Sequence, residues 1–183
     1  MIVANAKPFD EVWGMIAQFE RVLVLGCAEC AAVCRVGGAR QVADLSQALH
    51  GRAAASGRTM EFVQRTVRRQ CEARFLEPIL GDLKAADAVL SMACGAGVNT
   101  MAERHPELPV FPAVDTTFMG AREEPGLWAE RCAGCGRCML DLTGGICPIA
   151  RCAKTILNGP CGGSQDGMCE VSTASNPVEC VWV

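Results

Sequence analysis

The sequence predicts an α/β fold in which a small, doubly wound parallel-sheet domain precedes a cysteine-rich module with little regular structure. Over residues 1–118, short β-rich apolar runs alternate with segments whose apolar side chains recur at helical spacing. Residues 119–131 contain Gly120 and Pro125 and are typical of a linker. Residues 132–183 combine eight cysteines with many glycines and few large apolar side chains, so they are predicted as a separate module.

The first elements follow from the periodicity of apolar residues. Residues 8–19 are predicted as a leading helix because their apolar side chains fall on one helical face. Residues 21–25, RVLVL, form a short apolar run that ends at a glycine, which indicates a buried strand. Residues 38–54 again show helical spacing, and residues 59–63 are a weaker strand candidate.

The same alternation continues to the end of the domain. Residues 71–86 are predicted as a helix, residues 87–92 (DAVLSM) as a second buried strand and residues 98–104 as a short helix. Residues 109–114 (PVFPAV) form the last predicted strand, at an edge of the sheet because Pro112 cannot donate a ladder hydrogen bond. Strands that alternate with helices are typical of βαβ units, so the sheet is expected to be parallel.

Composition excludes several classes of protein. The chain has 183 residues, half of them apolar, and a net charge of −3, which is not the composition of a disordered protein. The acidic balance also argues against a nucleic-acid partner. No apolar stretch approaches the roughly 20 residues of a membrane span. The first residues lack the pattern of a secretory signal, so we expect a cytoplasmic protein.

Thirteen cysteines dominate the composition. In a secreted protein they would indicate disulfides. Here the number is odd, and many cysteines lie only two or three residues apart, a spacing that suits chelation of a metal better than a disulfide. The sequence therefore predicts reduced thiolates on metal. Only two histidines occur, and no acid–base or nucleophile motif accompanies them, so no catalytic residue is assigned.

The first cysteine group follows the first clear strand as Cys27-x2-Cys30-x3-Cys34. Ligands of open α/β sheets bind at the carboxyl ends of the strands, where these residues lie. Cys94 follows the second clear strand at the same edge, and Cys71 follows the weaker strand. Four thiolates predict a [4Fe–4S] cluster, although a tetrahedral zinc site has the same ligand count. Cys94 is favoured over Cys71 as the fourth ligand because its strand is clearer.

The second group lies in the predicted iron–sulfur or zinc module. Its first three cysteines form the C-x2-C-x2-C start of a ferredoxin-type site. The eight cysteines suffice for two four-ligand sites, with Cys147 or Cys152 as the fourth ligand of the first site and the remaining four in the second. Iron–sulfur and zinc both stay open for each site. The eight cysteines are Cys132, Cys135, Cys138, Cys147, Cys152, Cys161, Cys169 and Cys180. Trp128 and Trp182 flank the module and are candidates for shielding a metal group or contacting a partner.

The motif GICPIARCAKTILNGPCGGS at residues 145–164, the stretch CGRCMLDLT before it and the ending ECVWV resemble the MetV-type small subunits of methylenetetrahydrofolate reductase. The stretches LVLGCAECAAVCRVGGARQV and VLSMACGAGV resemble the N-terminal half of the same proteins. The resemblance therefore extends over nearly the whole chain.

The resemblance implies a function as an iron–sulfur electron-transfer and assembly subunit. It implies a flavin-containing methylenetetrahydrofolate reductase subunit as partner, with FMN and folate bound only there, since no motif for either is evident in this sequence. One [4Fe–4S] cluster in the N-terminal half and one or two in the C-terminal module are expected, with zinc as the alternative. A further electron-donor complex is a second candidate partner. The competing hypothesis is a zinc-stabilised structural subunit that positions the flavin partner without carrying electrons.

Overall fold

A four-stranded parallel sheet organises the first part of the chain. The computed structural model describes residues 1–183 and divides them into two units, residues 1–117 and residues 118–183. The strands of the parallel sheet are β2 (Arg21–Cys27), β3 (Glu61–Val67), β4 (Ala88–Ser91) and β5 (Val110–Pro112). Their order is β3-β2-β4-β5, and every neighbouring pair is parallel. The predicted parallel α/β domain is confirmed, as is the edge position of the last strand.

Helices cover both faces of this sheet. They are α1 (Phe9–Ile16), the single turn α2 (Cys30–Val33), α3 (Ala39–Ala55), α4 (Leu80–Ala85) and α5 (Gly95–Arg104). Because alternate side chains of a strand point to opposite faces, Val22 and Val24 pack with α1 and α3, whereas Leu23 and Leu25 pack with α4 and α5. The central strand is therefore buried on both sides. None of the helices has the length and apolar character needed to cross a membrane.

Four segments of residues 1–117 differ from the sequence prediction. Residues 71–86 were predicted as one helix but form two short 3-10 turns before α4. Pro78 explains the interruption, because it lacks an amide N–H and disfavours helical backbone in the residue before it. β3 begins later than predicted and continues to Val67, and α5 begins at Gly95 rather than at Val98. The fourth, β1 (Ile2–Ala6), was not predicted.

β1 is the neighbour of β6 (Val114–Glu124), whose other neighbour is β7 (Leu127–Cys132). Within residues 1–117, the Thr117 hydroxyl donates a hydrogen bond of 3.0 Å to the Val3 carbonyl. Residues 119–131, predicted as a linker, instead lie mostly in the antiparallel β6–β7 hairpin. Gly126 makes the turn with a φ of +94°, which only glycine adopts readily.

Residues 118–183 contain little regular structure after the hairpin. The single helical turn α6 (Pro148–Arg151) is followed by turns and isolated β-bridges, as the sequence composition suggested. In this unit only Gly120 and Pro148 are buried, and Leu142, Leu157 and Val183 are exposed. Burial of apolar surface therefore contributes little to the stability of this unit.

Candidate metal centres

The N-terminal cysteines meet at the topological switch point of the parallel sheet. From β2 the chain proceeds to β3 on one side and then returns to β4 on the other. The loops that follow β2 and β4 pack against each other at the carboxyl end of the sheet, where Gly37 lies close to the Met92 carbonyl; this end is the usual ligand position of such folds. Cys27 ends β2, and Cys94 immediately precedes α5 on the β4 side. Cys71 follows β3, which is an edge strand.

Two thiols of this edge are buried. Cys27 packs with Ala31 and Ala93, the residue before Cys94. Burial raises the pKa of the Cys27 thiol, with smaller raising effects from Cys94 and Cys71, while backbone N–H groups of Gln70 and Glu29 act in the opposite direction. The site can therefore offer N–H donors to a sulfur that binds metal as a thiolate.

Cys34 is the second buried thiol. It follows α2, and its Sγ makes a long hydrogen bond of 3.7 Å to the Ile2 carbonyl. Burial raises the pKa of Cys34, and Cys30 and Cys94 raise it further. Cys94 directly follows Ala93, which packs against Cys27, and precedes the first residue of α5. Cys30 is half-buried, and Cys71 is exposed.

A buried glutamine fixes the loops at this edge. Gln70 is fully buried, and its Nε2 donates to the Leu25 carbonyl at 2.8 Å and to the Gly26 carbonyl at 3.2 Å. Its Oε1 accepts a hydrogen bond of 2.7 Å from the Ser91 hydroxyl, which in turn accepts the Ala93 amide. One side chain therefore joins the loop before Cys71 to the ends of β2 and β4. No sequence pattern indicates this role, because burial distinguishes Gln70 from neighbouring polar residues and cannot be read from residue type alone.

We expect Gln70→Met to lower the free energy of unfolding of residues 1–117. The substitution keeps the side-chain volume but leaves Gly26 O and the Ser91 hydroxyl without their buried partner, at a cost of about 1–3 kcal/mol. Urea unfolding of the full-length protein measures this difference. Gln64→Met is the matched control, because Gln64 is exposed on β3 and its replacement should cost less than about 0.5 kcal/mol. Equal stability of the two variants would contradict the role given to Gln70.

A first cavity lies within residues 131–149. Four cysteines line it together with Met139, Leu140, Ile149 and two arginines; the cysteines are Cys132, Cys135, Cys138 and Cys147. Gly134 and Gly136 separate the first three cysteines and adopt φ values of +66° and +80°. This left-handed backbone lets the loop curl, and the Gly134 amide donates to the Cys132 Sγ at 3.4 Å.

Cys147 is returned to this cavity by a tight turn. Gly144 and Gly145 both have positive φ, and the Gly145 amide donates to the Leu140 carbonyl at 2.8 Å. The turn thereby folds back the eight residues between Cys138 and Cys147. The structure groups Cys147, rather than Cys152, with the C-x2-C-x2-C run.

The other four cysteines of this unit line a second cavity. They are Cys152, Cys161, Cys169 and Cys180, and all are half-buried. Two backbone hydrogen bonds join the segment around Cys169 to the segment around Cys180. The Cys169 amide donates to the Val178 carbonyl and the Cys180 amide to the Gly167 carbonyl, both at 2.8 Å. Trp182 and Lys154 also line this cavity.

A family model described as "Methylene-tetrahydrofolate reductase C terminal" matches residues 111–183. These residues are thus similar to the C-terminal region of methylene-tetrahydrofolate reductases. The match confirms, for two-fifths of the chain, the resemblance carried by residues 145–164. No curated protein and no solved structure matches the chain. All eight cysteines of the two cavities lie within the matched residues, whereas the five at the sheet edge precede them.

The donor chemistry of this matched region fits a thiolate-bound metal group. Each of its cavities offers four free thiols, and the second also contains the buried Trp182 Nε1, which has no hydrogen-bond partner in the protein. No three His, Cys, Asp or Glu side chains of the protein are drawn together closely enough to hold a single metal ion. The thiols line the cavities without converging on one point. Lys154 and Gln70, which support these sites, were not anticipated from the sequence.

Proposed function

We propose that this protein is an iron–sulfur electron-transfer and assembly subunit of a methylenetetrahydrofolate reductase complex. It exchanges electrons with the FMN of a partner flavin subunit. One observation carries the proposal: the 13 cysteines fall into three separate places, two cavities with four thiols each and one sheet edge with five. The family match over residues 111–183 supplies the reductase context.

The number of thiols in each cavity supports the proposal. Four thiols match the ligand count of a [4Fe–4S] cluster, which they share with a tetrahedral zinc site. Cys132, Cys135, Cys138 and Cys147 would hold one cluster, and Cys152, Cys161, Cys169 and Cys180 a second.

At the sheet edge we assign Cys27, Cys30, Cys34 and Cys94 as the ligands of a third cluster. Cys94 is chosen because it lies at the switch point and directly follows Ala93, which packs against Cys27. When bound, such clusters supply one-electron chemistry. The protein's own residues hold the thiolates, exclude water from Cys27 and Cys34, and offer N–H groups to sulfur. We assign the substrate site to the partner, as the resemblance implies.

Reconstitution with the flavin subunit tests the relay. After methyltetrahydrofolate is mixed with the complex in a stopped-flow instrument, flavin reduction should need only the partner, whereas bleaching of the cluster absorbance should need both proteins. We expect Cys135→Ser to slow cluster bleaching at least tenfold, or to abolish it, without slowing flavin reduction. Met139→Leu is the matched control, because Met139 lines the same cavity without a thiol.

The relay would not pass through the first cavity if Cys135→Ser left the complex and its cluster bleaching unaltered. If the protein alone converted methylenetetrahydrofolate, the assignment as a non-catalytic subunit would be wrong. A colourless protein with zinc in place of iron would instead support the competing role, a structural subunit that positions the flavin partner.

A further inference from the structure

Trp182 carries a buried hydrogen-bond donor that the protein leaves without an acceptor. Its Nε1 is shielded from solvent and has no partner within the protein. A buried donor without an acceptor costs free energy, so natural proteins rarely keep one without a reason. The indole ring is fixed against Gly159, where the Cβ of any other residue would collide with Trp182 Cδ1. Only glycine at position 159 permits this placement.

The cavity beside Trp182 contains the acceptors that the indole lacks. Trp182 lines the cavity together with Cys152, Cys161, Cys169 and Cys180. Metal-bound thiolates and the sulfides of an iron–sulfur cluster both accept N–H hydrogen bonds, and such bonds tune the reduction potential. Trp182 thus carries its orphaned donor on the wall of the cavity that would hold a sulfur-rich group.

Lys154 brings a cation to the same sulfur atoms. Its Nζ is held by Glu170 Oε2 at 2.6 Å and also interacts with the sulfur of Cys161. Glu170 is itself kept close to the chain by Gly163, because a Cβ at that position would collide with the glutamate side chain. The ion pair with Glu170 therefore fixes the position of the Lys154 ammonium group at the cavity.

We propose that Trp182 Nε1–H donates a hydrogen bond to a sulfur atom of the cluster held by Cys152, Cys161, Cys169 and Cys180, and that Lys154 provides a second, cationic contact. This inference rests on the proposed iron–sulfur function. Reduction adds one electron, taken from an external reductant such as dithionite, and moves no proton. Both donors stabilise the more negative, reduced form, so both raise the midpoint potential of this site. They are positioning residues, not ligands.

The test is an EPR-monitored redox titration of the full-length protein and its Trp182→Phe variant, with Cys161→Ser used to assign the signal of this site. Phenylalanine keeps an aromatic ring at this position but removes the N–H together with part of the indole bicycle, so the control must lose the same volume. We expect an unchanged iron content and a reduction equilibrium constant that falls about threefold to tenfold for this signal alone, a shift of about 30–59 mV to lower potential. Trp128→Phe is the matched control: the Trp128 Nε1 is also buried without a partner, but Trp128 lines neither cysteine cavity.

Several outcomes overturn the proposal. If Trp182→Phe has full iron content and the same midpoint potential as Trp128→Phe, the proposed hydrogen bond is wrong, but the iron–sulfur function is unaffected. If this site contains zinc and Cys161→Ser removes no EPR signal, both the hydrogen-bond proposal and the iron–sulfur function are wrong for this site. If Trp182→Phe fails to load iron, the hydrogen bond is tested in the wild-type protein with ¹⁵N-labelled indole groups. Pulsed EPR of the reduced site should show a ¹⁵N coupling, and the same coupling should persist in the Trp128→Phe variant. Absence of that coupling refutes the hydrogen bond.

Discussion

Cys94→Ser should remove about four iron atoms per chain, whereas Cys71→Ser should leave the iron content of the anaerobically purified protein unchanged. Cys94 lies at the switch point between β2 and β4 and directly follows Ala93, which packs against Cys27. Cys71 is exposed and follows the edge strand β3. The two variants make the same chemical change at the same sheet edge, so each is the control for the other.

Iron quantification and the dithionite-bleachable absorbance of both variants measure this difference. The opposite result, with iron lost in Cys71→Ser and retained in Cys94→Ser, would make Cys71 the fourth ligand. Full iron content in both variants and also in Cys30→Ser would contradict an iron–sulfur site at the sheet edge.

Removal of the metal from residues 118–183 should unfold that unit. Ordering a chain costs roughly 1–2 kcal/mol per residue in backbone entropy, and burial of only Gly120 and Pro148 cannot offset that cost. The apolar clusters on both faces of the parallel sheet should keep residues 1–117 folded without metal. We therefore expect a strong chelator, or oxidation of the sites, to make the second unit sensitive to protease while a fragment close to residues 1–117 survives.

Limited trypsin digestion followed by mass spectrometry reads this outcome, because Arg131, Arg137, Arg151 and Lys154 all lie in the second unit. Untreated protein, digested in parallel, should keep those sites intact for much longer. A metal-free protein in which they were cut no faster than in the untreated protein would show that metal does not stabilise this unit.

The sequence was most informative where one physical requirement dominates. Continuous apolar runs made β2 and β4 recognisable, because both faces of a central parallel strand must be apolar. The weaker segments depended on details that periodicity does not contain. Pro78 divided the predicted helix over residues 71–86, and cross-strand pairing turned the predicted linker into a hairpin.

The sequence predicted how many cysteine groups there are, but it did not predict which cysteines belong to each group. The spacing after Cys138 allowed Cys147 or Cys152 as the next member, and only the left-handed turn at Gly144 and Gly145 brings Cys147 back. Gln70 could not be anticipated, since its importance follows from burial between two strand ends. Whether the thiols bind iron–sulfur clusters remains a prediction of the sequence and a proposal from the geometry.

Metal analysis of the anaerobically purified full-length protein, combined with EPR of its dithionite-reduced form, tests the central proposal most directly. Three groups of cysteines, with iron–sulfur clusters at the sheet edge and in one or both cavities, predict about eight to twelve iron atoms per chain, matching acid-labile sulfide and a brown colour that bleaches on reduction. A colourless protein with two or three zinc ions per chain, less than one iron and no EPR signal would contradict the electron-transfer function.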